Sequence, residues 1–427
     1  MEGFANQTLF YMLSGMVDTL MLSAVGDYAV GAVGTANSYI GIFIIMFSII
    51  SSGMVSVMTQ NIGAGRPGVA YQARQLGLLF NAVAGVLMAV FLFSGAGAIL
   101  RMVGIADALY EPALIYLKIV GGGCILNAVI PIFSSYLRAF GYTKQPLYAT
   151  IVGNIANFVM NAVFLFVLHK GVAGVAAATV ISKILNLCIV LYFSHKLISA
   201  KNSTERIANK TVLGQIVKVG LPSACETALY NVAMMLVIRF LNQMDAEGLN
   251  VTARSYTATI SNFSYCVGAA LAQANAIMTG WHIGAGELEE CDRGTKRAAF
   301  VGVCVAVCME TAIVLGSGFI MPLFTDNPEM TALVRKLLAI DIVLEIGRVT
   351  NLVFGQALKT SGDAVFPAVI AAVFMFVFAV GGTWLFGISM GLMAVGAYIG
   401  LASDECVRAV GMVWRWKTGK WRTKKLV

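Results

Sequence analysis

The sequence predicts an all-α polytopic membrane protein, with about twelve transmembrane helices in two pseudo-symmetric six-helix lobes. Three observations carry this. Apolar residues make up 59% of the chain and charged residues only 12%, against roughly a quarter charged in soluble domains. Glycine is abundant and proline scarce, 44 against 8, which suits helices whose backbones approach closely in lipid. Finally, the chain repeats itself at an offset of 221 positions. Ile62-Gly63-Ala64-Gly65 lies over Ile283-Gly284-Ala285-Gly286, and Leu137-Arg138-(x2)-Gly141-(x4)-Pro146 over Leu358-Lys359-(x2)-Gly362-(x4)-Pro367. With one deletion, Gly171-Val172-Ala173-Gly174-Val175 lies over Gly391-Leu392-Met393-Ala394-Val395.

Apolar runs long enough to cross a bilayer fall at 4–25, 28–60, 73–100, 108–140, 145–168 and 171–195 in the first half. In the second half they fall at 213–243, 249–281, 296–321, 331–360, 364–387 and 391–416. Each must be helical, because hydrocarbon offers no partner to free backbone groups. Several exceed the roughly 20 residues a span needs, so they tilt or project. The division is therefore 1–195 as the N-terminal lobe, 196–212 as a polar cytoplasmic linker, and 213–427 as the C-terminal lobe with a basic tail. The second lobe opens with an amphipathic stretch, Leu213 to Lys218, before Gly220-Leu221-Pro222. Met1 instead leads almost directly into span one, so the sequence is expected to begin late in its first helix.

Loops after even-numbered spans carry most of the basic residues, among them Arg66, Arg74, Arg138, Lys144, Lys201, Arg293 and Lys359. The opposite loops hold only Arg101, Lys170, Arg335 and Lys336. The bias places both termini and the linker in the cytoplasm of a protein of the cell membrane. The net charge of +8 is thus read as orientation, with no nucleic-acid partner expected. The basic tail, with Trp414, Trp416 and Trp421, reads as an anchor to the anionic lipid interface.

Charges inside spans are costly and face a cavity or a partner. Asp18 lies deep in span one with no basic residue within a helical turn, which makes it a candidate to exchange a proton or hold a small cation. Asn157 and Asn161 share one face of span five at i, i+4 spacing, and can complete such a site or form a structural hydrogen-bond network. In the second half the offset puts Arg239 over Asp18, so an acid is replaced by a base. Glu345 and Arg348, and Asp404 and Arg408, are spaced to pair within their own helices. They read either as a neutralised structural network or as a substrate wall whose arginines hold an anionic or zwitterionic group. Glu226, four residues after Pro222, is either a cap-side acid or a cavity-lining one. Lys118, Lys183, Arg254, Glu310, Asp341 and Glu405 are further ionisable residues within spans.

No Lys-Ser/Thr follows either Gly-Ala-Gly, so these are helix stops and not phosphate loops. The eight cysteines form no CxxC pair and the three histidines no ligand cluster, so no cofactor or metal framework is expected. No arrangement of nucleophile and base suits catalysis, and an enzyme is not predicted.

The chain resembles the multidrug and toxic compound extrusion (MATE) family of bacterial transporters over essentially its whole length. The resemblance rests on Val17-Asp18-Thr19-Leu20-Met21, Ala32-Val33-Gly34-(x2)-Asn37, Gln60-Asn61-Ile62-Gly63-Ala64-Gly65 and Leu137-Arg138-Ala139-(x)-Gly141-(x4)-Pro146. It continues in Asn157-(x3)-Asn161, Gly171-Val172-Ala173-Gly174-(x3)-Ala178-Thr179, Gly220-Leu221-Pro222, Glu345-(x)-Gly347-Arg348-(x2)-Asn351 and Asp404-(x3)-Arg408. Each piece is weak alone; their order and spacing are specific.

The resemblance implies twelve helices in two lobes, and export of amphipathic, often cationic compounds in exchange for protons or sodium. Asp18 falls on the family's first-helix acid and Asn157 and Asn161 on its fifth-helix polar pair; Thr179 matches a polar position that joins them. Asn161 stands where some members have Asp, which leaves Asp18 as the only acid there. Arg348 falls near the helix-ten acid of one subfamily, so that subfamily's second-lobe cation site does not carry over. The expectation is a monomeric antiporter, meeting only its small-molecule substrate and membrane lipids, with H+ or Na+ as coupling ion. The alternative is a flippase or exporter of a lipid-linked, anionic or zwitterionic substrate, with Arg239 and Arg348 on its phosphate. A membrane receptor without a transport cycle would need no internal repeat.

Overall fold

The computed structural model describes residues 21–22, 27–103, 105, 107–198, 205–245 and 248–427. Asp18 and most of span one lie outside them. Among the described residues the regular structure is helical throughout, with no strand. Two compact units emerge, the first ending at Gly220 and the second covering Leu221–Val427.

In the first unit, α1 (Asp27–Gly63) and α2 (Pro67–Val103) are joined by a tight turn. A bent pair follows, α3 (Asp107–Gly122) and α4 (Cys124–Ala139), then α5 (Lys144–Ala162), running on as a π-helical turn over Val163–Val167, and α6 (Gly171–Leu197). The second unit contains most of α7 (Asn209–Met244), which begins in the first, then α8 (Leu249–Ala285), α9 (Leu288–Ile320) and α10 (Pro328–Ser361). It ends with α11 (Val365–Phe374), extended by π-helical turns Met375–Val380 and Thr383–Ser389, and α12 (Met393–Lys417).

Six described helices are each long and apolar enough to cross a membrane: Pro67–Met102, Lys144–Val167, Gly171–Leu197, Asn209–Met244, Leu288–Ile320 and Val365–Ser389. The pair α3 and α4 makes a further one, bent by 41°. The predicted fourth span is therefore broken, at the Gly121-Gly122-Gly123 run. Helices α8, α10 and α12 are as long but more polar, and their polar faces are buried.

The repeated sequence signals have a structural cause. In both Gly-Ala-Gly copies the last glycine has positive φ, +74° at Gly65 and +80° at Gly286. The flanking bonds match: Arg66 N donates to Asn61 O at 2.8 Å, and Glu287 N to His282 O at 2.8 Å. The second repeat does the same, with Tyr142 N on Leu137 O at 2.9 Å and Asp363 N on Leu358 O at 3.0 Å. Each is a left-handed helix stop that satisfies terminal carbonyls, and only glycine takes that backbone freely. What is duplicated most legibly is how helices end.

Packing in the first unit uses small residues. Ala29, Ala32, Ala36, Ala96, Ala113 and Ala128 are fully buried. A Cβ on Gly53 would strike the Ile216 carbonyl, and one on Gly220 the Ile49 carbonyl, so α1 and the start of α7 cross backbone to backbone. The Asn81 amide donates to Phe47 O at 3.3 Å and Ala128 O at 3.1 Å, joining α1, α2 and α4. Arg74, expected as an orienting charge, is buried with Tyr71, Phe133 and Tyr136 around its guanidinium.

The second unit corrects the reading of the tail. Trp414 is exposed, but Trp416 and Trp421 are buried and stacked, ring centroids 4.2 Å apart. Trp416 Nε1 donates to Asp292 at 2.8 Å and Trp421 Nε1 to Trp416 O at 3.0 Å. Arg415 pairs with Asp363 at 2.7 Å and Arg422 with Glu289 at 2.8 Å. The tail folds back as a strap across the ends of α9, α10 and α12, and only Trp414 is free to meet lipid. Its two indoles are core residues because the helix turns at Gly419 (φ +69°) and carries Trp421 over Trp416.

Candidate functional site

The second unit encloses a cavity of about 540 Å³, walled by α7, α8, α10 and α12 with Met375 of the α11 extension. That volume lies within the range of small-molecule sites, roughly 300–1,000 Å³. The sequence builds it from one face of α10: Asp341, Leu344, Arg348, Leu352, Gly355 and Lys359 follow at three- and four-residue steps and all line it. Glu345, the next residue after Leu344, is fully buried and is not among the lining residues. From Asp341 to Lys359 the helix rises about 27 Å, most of a bilayer's depth. Asn327 starts α10 by accepting from Glu329 N at 2.9 Å and Met330 N at 3.3 Å, with Pro328 in its first turn.

The charges along this face are organised in pairs. At one end Lys359 Nζ meets Glu226 Oε2 at 2.8 Å. In the middle Arg348 pairs closely with Glu345 and approaches Glu405 at 3.7 Å. Arg408 grips Asp404 through two nitrogens, at 3.0 and 2.7 Å, and Glu405 at 2.8 Å. Asn351 adds a donor to Glu405 at 3.0 Å. Glu405 thus ties α10 to α12, where a Cβ on Gly347 would come within 2.7 Å of Cys406 N. The close crossing needs glycine, and it brings the two charged faces within ion-pair reach. At the other end lie Asp341, Arg254 and the Tyr398 ring. Glu310 of α9 is fully buried beside Asp341, Glu345 and Arg348.

These positions show where each expected residue falls. Glu345 with Arg348 and Asp404 with Arg408 pair within their helices, and Glu405 links the two pairs. Glu226 lines the cavity, and no cap role is left for it well inside α7. Arg239 is exposed on α7 and does not line this cavity. In the first unit Asn157 and Asn161 are buried, and Asn161 Nδ2 donates to Asn157 Oδ1 at 3.1 Å. The Thr179 hydroxyl bonds to its own helix at Val175 O, 2.9 Å away. Asp18 lies outside the described residues. Sequence reasoning put Lys359 among the orienting charges, although its step from Arg348 and Gly355 along α10 was the signal for the cavity. It also gave Arg254, Asp341 and Glu405 no role.

A family model described as MatE matches residues 5–163 and 222–385, most of both halves. The chain belongs to the MatE family. Its members are transporters, so this chain is a transporter of the efflux type and not an enzyme. It is 32% identical over 420 residues to "Uncharacterized transporter YisQ" of Bacillus subtilis (strain 168), covering 97% of this chain and 92% of that one. To "Probable multidrug resistance protein NorM" of Thermotoga maritima it is 20% identical, covering 99% and 91%. A solved structure described as MATE in the straight conformation superposes with a TM-score of 0.87 at 20% identity, covering 99% and 95%. That likeness establishes the two-lobed MATE fold for this multi-pass membrane protein.

Proposed function

We propose that this MatE transporter is a cation-coupled antiporter of the cell membrane, exporting amphipathic compounds that bear a cationic group by alternating access. Both termini are cytoplasmic in this reading, and the transporter acts as a monomer. The observation that carries it is the second-lobe cavity: a drug-sized chamber at membrane depth whose wall carries Glu226, Asp341, Asp404 and Glu405. Lys359 and Arg408 already hold Glu226, Asp404 and Glu405, so Asp341 is the carboxylate that receives an ammonium, and Tyr230, Tyr265 and Tyr398 receive the apolar body. The name of the Thermotoga relative supports export of drugs.

The proton is the coupling ion we favour over sodium. The buried or cavity-lining charges of the second lobe include more carboxyls (Glu226, Glu310, Asp341, Glu345, Asp404, Glu405) than bases (Arg254, Arg348, Lys359, Arg408). Charge at membrane depth is costly, so protons balance such an excess most simply. Asp18 is the proposed exchange point in the first lobe, and Asn157, Asn161 and Thr179 are the polar residues proposed to act with it. Protonation there drives export only through different affinities of the two transport states.

The test is dye movement in everted vesicles under an imposed pH gradient and then a sodium gradient, wild type beside Asp18→Asn. Export driven by the pH gradient in wild type and lost in Asp18→Asn supports the reading. Full pH-driven export by Asp18→Asn removes Asp18 from the mechanism. Export driven only by sodium changes the ion, and no export under either gradient rejects the antiporter.

A further inference from the structure

The first lobe buries one cation with no acid to answer it. Between residues 28 and 203 the chain carries only two carboxylates, Asp107 and Glu111. Both stand in the first turns of α3, past the far end of α2 from Arg74. From Arg74 to the end of α2 the helix rises about 43 Å, beyond the reach of any ion pair. Glu205, ahead of α7, is exposed, and among the described residues no ion pair joins it to Arg74. Arg348 and Arg408, buried in the second lobe, each hold two carboxylates.

Arg74 is nonetheless only 8% exposed. Its guanidinium lies 4.5 Å from the centre of the Tyr71 ring, 5.2 Å from Tyr136 and 5.4 Å from Phe133. The ring faces attract the cation but bring it no negative group. Its Nε is shut in without a hydrogen-bond partner. The Nη groups also lack one among the described residues, but they are not shut in as Nε is. An ion buried alone destabilises a fold. The missing charge is therefore to be looked for outside the chain.

The fork and its depth say what kind of group fits. A planar guanidinium matches an oxyanion through two parallel N–H bonds, as phosphate and carboxylate offer. Helix α2 is about 55 Å long, against a hydrocarbon core of ~30 Å. If centred, it leaves about 12 Å at each end, and Arg74 lies about 10 Å in from Pro67. That is headgroup level, where phosphate is the abundant oxyanion. Of the three rings only Tyr71 is not buried, so the opening lies on its side, toward the helix start.

We propose that Arg74, in its cage of Tyr71, Phe133 and Tyr136, is a phosphate-binding site of the first lobe. Its occupant is the headgroup of an anionic phospholipid, in the leaflet that faces the cytoplasm in the orientation proposed above. Bound phosphate completes the guanidinium fork and ties α2 to α4 through the cage. The site stands apart from the second-lobe cavity and does not depend on the antiporter reading.

Thermal unfolding of the purified, delipidated full chain in neutral detergent, followed at rising ligand concentration, tests it. The probes are dihexanoylphosphatidylglycerol, dihexanoylglycerol, which lacks the phosphate, and inorganic phosphate. A ligand that binds only the folded state raises the unfolding temperature with its concentration. The phosphatidylglycerol does so in wild type and the dihexanoylglycerol does not. Inorganic phosphate, without the acyl chains, needs a concentration about tenfold higher or more. Arg74→Gln raises the phosphatidylglycerol requirement about tenfold or more, the scale of a charge-assisted hydrogen bond. Arg74→Lys keeps the cation but loses the fork, and raises it about threefold or more. Arg66→Gln, exposed just before the same helix, stays within about twofold, which excludes general attraction to basic residues. Each variant is compared with its own ligand-free unfolding, so lower starting stability does not imitate lost binding. If Arg74→Gln does not fold, Arg74→Lys decides. Equal requirements for phosphate and phosphatidylglycerol keep the phosphate site and reject the lipid as its source. An unchanged requirement in Arg74→Gln and Arg74→Lys, or no shift with any probe, overturns the proposal.

Discussion

The two lobes share their helix stops and differ in what they bury. The first holds its helices with small residues, backbone crossings and amides: Ala32, Ala36, Gly53, Asn81, and Asn157 with Asn161. The second buries a ladder of charges along α10 and α12. A duplicated scaffold has thus been given two kinds of interior. Amides cost little to bury once bonded, whereas ions must be paired well or they destabilise. The difference teaches where rigidity and selectivity are placed: a charged wall discriminates among ligands, and a wall of amides and methyls does not.

The sharpest way to break this comparison is to remove one cation from the ladder. Arg348→Met strands the buried Glu345, while Glu405 keeps Arg408 and Asn351, and should cost about 3–5 kcal/mol. Thermal unfolding of the purified protein in detergent measures it. Adding Glu345→Gln should recover most of the loss, because the cost lies in the stranded charge. If the double variant is as unstable as Arg348→Met, the ladder is held by shape and not by charge.

The strap gives the next largest effect. Trp421→Ala removes a buried indole from its stack on Trp416 and should cost about 3 kcal/mol or more. Trp414→Ala, on an exposed ring of the same tail, should change the unfolding temperature little. Equal losses would mean the strap contributes no packing and the tail is a lipid anchor after all.

Much of this was legible in the sequence, for physical reasons that differ by level. Span number followed from apolar length, and the duplicated glycines were visible because left-handed helix stops admit almost no other residue. The in-helix pairs Glu345–Arg348 and Asp404–Arg408 followed from spacing alone. Contacts between helices did not. Nothing local shows that Glu405 bridges α10 and α12, that Lys359 turns into the cavity, or that Trp421 folds over Trp416. Those depend on how close two backbones come, which Gly347 sets at one crossing and Gly419 at one turn. Arg239 shows the limit from the other side: its place in the repeat over Asp18 said nothing about the wall it faces.

The crossings are common to both lobes and sharpen the comparison at an intermediate scale. Gly53→Ala in the first lobe and Gly347→Ala in the second each push a Cβ into backbone, and each should cost about 1–3 kcal/mol in the same unfolding assay. Gly214→Ala and Gly294→Ala meet nothing within 4 Å and should be neutral or stabilising by about 0.5–1 kcal/mol.

The smallest effect on stability separates structure from transport most cleanly. Asn161→Ala removes one donor from the Asn157 amide inside α5 and should lower stability by only about 1 kcal/mol. Under the proposed mechanism the same change should reduce pH-driven dye export more than tenfold, since the amide pair is half of the coupling station and no charge elsewhere replaces it. If Asn161→Ala exports normally at unchanged gradient, the first-lobe amides are structural like Asn81, and coupling must move to the carboxyls around Glu310 in the second lobe. Export by Glu310→Gln, measured in the same vesicles, decides between the two: a loss there with Asn161→Ala intact would put coupling and selection in one lobe and end the division of labour drawn from their interiors.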